Sequence, residues 1–165
     1  DIHKIKHIAA TAPYASGRKN WNLVVVDDKA TIQAMVDIVT HKSNELRNKL
    51  KENFVEGFET YAKHFLSFAT APVIFIPVFR VPTGLAYMLT TPDEQIIQWE
   101  RDSYVKSISN VALLILLAAE SLGLGGCYMT GPLLAEAELK QLLNINQERH
   151  IGAIIPVGYA AKPEK

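Results

Sequence analysis

The sequence predicts one layered domain that combines a sheet with helices, of the α/β or α+β class, and three observations predict it. Short apolar runs rich in β-branched residues, Leu23 to Val26, Val73 to Phe79 and Ile151 to Tyr159, read as buried strands. Between them apolar residues recur at helical spacing, and the stretch from Pro92 or Asp93 to Leu122 is the longest and most apolar of these. Strands interleaved with helices stack into layers, and a chain of 165 residues buries about two-thirds of its unfolded surface in a single core.

The elements follow in order. Ile2, Ile5 and Ile8 share a face, so a first helix spans about Ile2 to Ala10; it ends at the Ala12-Pro13 step, where the proline pushes its predecessor out of the helical region. A loop, Tyr14 to Asn20, leads into the short strand Leu23 to Val26, which Asp27 and Asp28 close as turn and cap residues. Ile32, Met35, Val36 and Val39 then mark one face of a helix. From His41 to Lys63 the chain reads as amphipathic helix, with Leu46, Leu50, Phe54, Phe58 and Tyr61 beneath a charged side, a solvated cover over the core. Pro77, inside the second strand, predicts a sheet edge or the strand's end. Arg80 to Asp93, interrupted by Pro82, Gly84 and Pro92, reads as a long mobile loop of the kind lids are built from.

In the central helix Val105, Ile108, Ala112, Ile115, Leu116, Ala119 and Leu122 make one stripe, while Leu113, Leu114, Leu117 and Ala118 make the other side apolar too. Such a helix must be covered on more than one side, by the sheet and neighbouring helices or by a second subunit. Gly123 begins a glycine-rich C-cap, Glu136 to Leu143 forms a short helix, and the last strand contains Gly152 and Gly158. The chain starts at Asp1, inside or just before a helix, so further sequence is expected upstream.

Composition narrows the function. Seventeen Lys plus Arg balance seventeen Asp plus Glu, so no field gathers phosphates along a groove and nucleic acid is not an expected partner. Cys127 is the only cysteine, which leaves no disulfide framework and fits a reducing cytoplasm. The longest unbroken apolar run, Val111 to Ala119, has nine residues, against the about 20 that a spanning helix needs, so it is expected to be core rather than a membrane anchor.

Most candidate chemistry reduces to packing or solvation. The glycines at 123, 125 and 126 follow a helix, whereas a dinucleotide-cradling glycine loop precedes one. Neither a P-loop nor a nucleophile elbow occurs. His3 and His7 share a helix face but lack further ligands, so no metal is expected, and Cys127 reads as a small packing residue. Asp102 reads as a helical surface charge, and no side chain is assigned as catalytic. Packing leaves three segments unexplained: Pro13 to Trp21, Gly126 to Pro132 and the tail Lys162 to Lys165. Arg18, Lys19, Lys162 and Lys165 are basic and the middle loop is rich in main-chain N–H groups, a set suited to an anionic, partly aromatic cofactor.

These residues resemble those of the FMN-dependent nitroreductase family of NAD(P)H oxidoreductases. Ala12 to Trp21, APYASGRKNW, leading into Leu23 to Val26, is similar to the family's APSxxNxQPW-fVVV block. Ala71 to Ile76 resembles its aPVvI strand, Asn110 to Gly126 its long central helix ending in GLG, and Gly158 to Ala160 its closing Gly-Tyr strand. The resemblance implies an α+β, three-layer fold with a mixed, mostly antiparallel sheet flanked by helices, an intertwined homodimer, and FMN at the dimer interface. It implies that Met129, Thr130 and Gly131 bring backbone to flavin N5 and O4, and that Ser16, Arg18 and Lys19 serve the ribityl and pyrimidine edge. The family's basic N-terminal phosphate-binding segment lies before position 1, so Lys162 or Lys165 is expected at the phosphate. The activity implied is hydride transfer from NADH or NADPH to a nitroaromatic, quinone or similar flat acceptor by a ping-pong cycle in which the flavin does the chemistry. A non-catalytic flavin-binding or scaffold protein on the same fold remains the alternative.

Overall fold

Alternation along one central strand sorts the apolar residues into two cores. The computed structural model describes residues 1–17, 19–82 and 84–160. Its strands β1 (Trp21–Val26), β2 (Val73–Phe79), β3 (Gly125–Gly126), β4 (His150–Ile151) and β5 (Ile155–Gly158) form one sheet in the order β1-β2-β5-β3, with β4 also paired to β2. Every ladder among the described residues is antiparallel. Because successive side chains of a strand point to opposite faces, Phe75 and Phe79 of β2 enter one core and Ile74, Ile76 and Val78 the other.

Helices cover both faces. On the Phe75 side lie α1 (Ile2–Ala9) and the last turns of α5 (Glu94–Ser121); on the Ile74 side lie α2 (Lys29–Arg47) and α6 (Glu136–Leu142). The result is an α+β arrangement, an antiparallel sheet flanked by helices. The ends of α5 are where the sequence places them: the Asp93 carboxylate accepts from the N–H groups of Gln95 (2.9 Å) and Ile96 (3.2 Å). Gly123, at φ 73°, lets Leu124 N–H reach Ala119 O (3.0 Å). Among the described residues α5 alone is long and apolar enough to cross a membrane, but Ile108, Val111, Ala112, Ile115 and Ala119 are buried against the sheet and α1, as in a core helix.

Four expectations are corrected. Pro77 lies inside a central strand, opposite Leu23 of β1. Its carbonyl accepts from Gly152 N–H (2.7 Å) in the gap where β4 ends and before β5 begins, so the missing proline donor falls at a break in the ladder and costs no sheet bond. That break also divides the single strand expected from Ile151 to Tyr159. The helix expected from His41 to Lys63 is interrupted after Arg47 and resumes as α3 (Glu52–Ala62), none of whose residues is buried. The 80–93 segment is not wholly irregular: α4 (Leu85–Met88) forms because the Glu100 carboxylate accepts from the N–H groups of Leu85 and Ala86.

The buried charge of Lys140 is accommodated by main-chain oxygens. Its Nζ donates to Gln147 O and Arg149 O, both at 3.0 Å, while Glu136 of the same helix accepts from Ile151 N–H (2.7 Å). Together they fasten the turn before β4 to α6.

Candidate functional site

The loop at residues 127–131 leaves its main-chain donors alternately used and free. Cys127 N–H donates to Pro156 O (3.3 Å) and Met129 N–H to Ile154 O (3.1 Å), while Met129 O accepts from Ile154 N–H (2.9 Å). A strand directs successive N–H groups to opposite edges, so those of Tyr128 and Thr130 point away from the sheet. Among the described residues neither they nor Gly131 N–H have a protein acceptor. Met129 is therefore an anchor, its side chain buried and its backbone committed, and Thr130 and Gly131 carry the open donors.

These donors edge a cleft of about 260 Å³ walled by Tyr61, His64 and Phe65 on one side and Cys127 and Tyr128 on the other. Cys127, just past the edge strand β3, is exposed and lines this cleft, and so is not the small packing residue expected. Gly131 has a structural reason of its own: a Cβ there would run into the Phe65 ring. Its φ is not in the left-handed region, so close approach, and not backbone freedom, requires the glycine.

The other loop, described at residues 13–17 and 19–20, lies across the sheet from the first. Tyr14 stacks at a tilt on Tyr104 of α5, 6.1 Å between centroids, and packs with the Phe75 core, whereas Met129 and Phe65 belong to the Ile74 core. Ala15 N–H donates to the buried Ser107 Oγ (3.0 Å), Ser16 sits in the 3-10 turn Ala15–Gly17, and Lys19 Nζ rests 4.8 Å over the Trp21 ring. The Tyr14 hydroxyl and Arg149 Nη1 are buried with no partner among the described residues. Burial first, then Tyr104, pushes the Tyr14 phenol up to about 12, with Arg149 opposing. Arg18, Lys162 and Lys165 lie outside the described residues.

One chain thus brings Met129, Thr130 and Gly131 together but keeps them apart from Ser16 and Lys19. Sequence reasoning missed the wall formed by Tyr61, His64 and Phe65, which no local spacing announces, and it missed Ser107, whose signal was a hydroxyl within the apolar stripe of α5. Among the described residues no cluster of three or more His, Cys, Asp or Glu is placed to hold a metal.

A model of the nitroreductase family matches residues 1–159. The chain belongs to the nitroreductase family. Similar solved structures include a BluB-like flavoprotein from Clostridium difficile 630, 24% identical with TM-score 0.82, the match covering 99% of this chain and 83% of that one. An FMN-dependent nitroreductase from Clostridium difficile R20291 is 21% identical with TM-score 0.62, over 99% and 77% of the two chains. An oxidized iodotyrosine deiodinase bound to FMN and 3-iodo-L-tyrosine is 20% identical with TM-score 0.68, over 99% and 79%. At such identities the likeness shows the fold. No curated protein sequence matches the chain.

Proposed function

We propose that this nitroreductase-family chain is a cytoplasmic, FMN-dependent oxidoreductase, a single domain acting as a homodimer, that takes hydride from NADH or NADPH and reduces nitroaromatic, quinone or similar flat acceptors in a ping-pong cycle. One observation carries the reading: Thr130 and Gly131 present N–H groups with no acceptor among the described residues at the edge of an aromatic-walled cleft. Fixed main-chain donors suit the ring nitrogen and carbonyl oxygen of a flavin, and they need no reorganisation as charge develops there. The donor set therefore fits FMN.

When bound, FMN would supply the hydride and electron chemistry, and the chain supplies binding, orientation and exclusion of water. Thr130 and Gly131 would hold the ring edge, with Met129 fixing their path. Ser16, Arg18 and Lys19 would serve the ribityl and pyrimidine side, and Lys162 or Lys165 the phosphate. Because the loop holding Ser16 and Lys19 lies across the sheet from Thr130, the two sets meet at one cofactor only when a second copy brings its own loop. The exposed Leu113 and Leu117 of α5, 53% and 55% accessible in one chain, offer an apolar face for that copy. No side chain is assigned as an obligatory acid or base.

The test is spectroscopic. The purified protein, loaded with FMN, is titrated anaerobically with NADH and then NADPH. Bleaching of the flavin band and its return on adding a quinone support the proposal. Flavin that binds but keeps its band with both donors would instead establish the non-catalytic, flavin-binding alternative.

A further inference from the structure

We propose that Ser107 is a positioning residue for the cofactor: its hydroxyl fixes the 13–17 loop to α5, and flavin affinity depends on that single buried bond. The proposal rests on the FMN reading above. Ser107 is 8% exposed and sits beside Ile108 and Val111, where burying a hydroxyl is unfavourable unless it is bonded. Its oxygen is bonded twice. It accepts from Ala15 N–H at 3.0 Å, a contact spanning 92 residues of sequence, and donates to Ser103 O at 2.8 Å.

The donation to a carbonyl one turn back is common for serine in helices and leaves the oxygen's lone pairs aimed outward. Ala15 N–H occupies them, so the helix orients the hydroxyl and the hydroxyl orients the loop. One turn on, Asn110 Nδ2 reaches Pro13 O at the longer distance of 3.4 Å. Asn110 is exposed on the same helix as Leu113 and Leu117, so the loop is pinned next to the face proposed to meet a second copy. Ser16 lies immediately after the pinned N–H. Losing the bond leaves Ala15 N–H and Ser103 O in place but frees the loop to shift against the helix.

The experiment compares wild type, Ser107→Ala and Ser107→Thr, which keeps a hydroxyl. Amide hydrogen exchange across residues 14–17 is measured on flavin-free protein, and FMN affinity by fluorescence titration. Ser107→Ala is expected to speed exchange in that loop, with exchange in β2 unchanged, and to weaken FMN binding roughly five- to tenfold, with Ser107→Thr restoring both. Faster loop exchange with unchanged FMN affinity would overturn the positioning role, and unchanged exchange would overturn the anchor itself. Wild type that binds no FMN would overturn the functional reading, and this role with it, whatever the exchange rates.

Discussion

The two loops that carry the candidate site are held by different kinds of bond. Residues 127–131 are fixed by main chain, through the paired Met129 and Ile154, and by the fit of Gly131 against Phe65. Residues 13–17 are fixed by side chains of α5: Ser107, Asn110 and the ring of Tyr104. Main-chain pairing survives most substitutions because every residue supplies the same groups, so the first loop is insensitive to side-chain identity except where a Cβ has no room. The second can be loosened one side chain at a time.

The largest expected effect breaks the first loop at that one place. Gly131→Val should destabilise the fold by about 3 kcal/mol, because the new side chain overlaps the Phe65 ring. Chemical denaturation measures it. Gly131→Ala combined with Phe65→Leu should cost less than the sum of the single changes; strict additivity would place the conflict elsewhere.

Next comes the meeting of the loops. Leu113→Glu with Leu117→Glu puts charge on the exposed face of α5 and leaves both loops intact. Light scattering should then report monomer, and FMN affinity should fall by at least about tenfold. A monomer that holds FMN as tightly as wild type would show that one chain suffices.

A smaller effect concerns Tyr14. Its phenol titrates at about 12 in the folded protein against 10.0 ordinarily, so the folded state keeps a proton that the unfolded chain releases. Folding stability is therefore untouched by this group below pH 10 and falls as pH rises from 10 towards 12, because the buried site resists the phenolate. Thermal melts across that window should fall more steeply for wild type than for Tyr14→Phe. Near neutral pH the same variant should be unchanged or more stable by up to about 1 kcal/mol, since the hydroxyl it removes has no partner among the described residues. The smallest effect belongs to Thr130→Ala: its side chain is exposed and only its N–H is implicated, so FMN affinity should stay within about twofold.

This contrast also explains what the sequence reveals. Helix α5, with its Asp93 cap and its Gly123 terminus, is legible because caps and periodicity act within a few residues. The two faces of β2 are legible for the same reason. Pro77 misleads because the rule for proline concerns a donor, and only the pairing partner shows that β4 and β5 leave no acceptor to be missed at that place. The short α4 is illegible because its cap, Glu100, lies 14 and 15 residues away from the N–H groups it holds. In the candidate site, Thr130 and Gly131 are proposed through a resemblance, since free N–H groups are not a property of residue type. Phe65 and Ser107 are found only when the chain is folded, because each acts on a loop distant in sequence.

The Glu100 carboxylate that caps α4 has a consequence for how the molecule comes apart. Tyr87 and Met88 are 81% and 77% exposed, and the turn that carries them is held to α5 through little more than that capping contact. Opening there uncovers no core, so it occurs from the native state at a free-energy cost well below that of global unfolding. Limited chymotrypsin digestion should therefore nick the native protein first at Tyr87. Adding denaturant well below the unfolding midpoint should change that rate little, whereas Glu100→Gln, which weakens the contact without touching either core, should raise it.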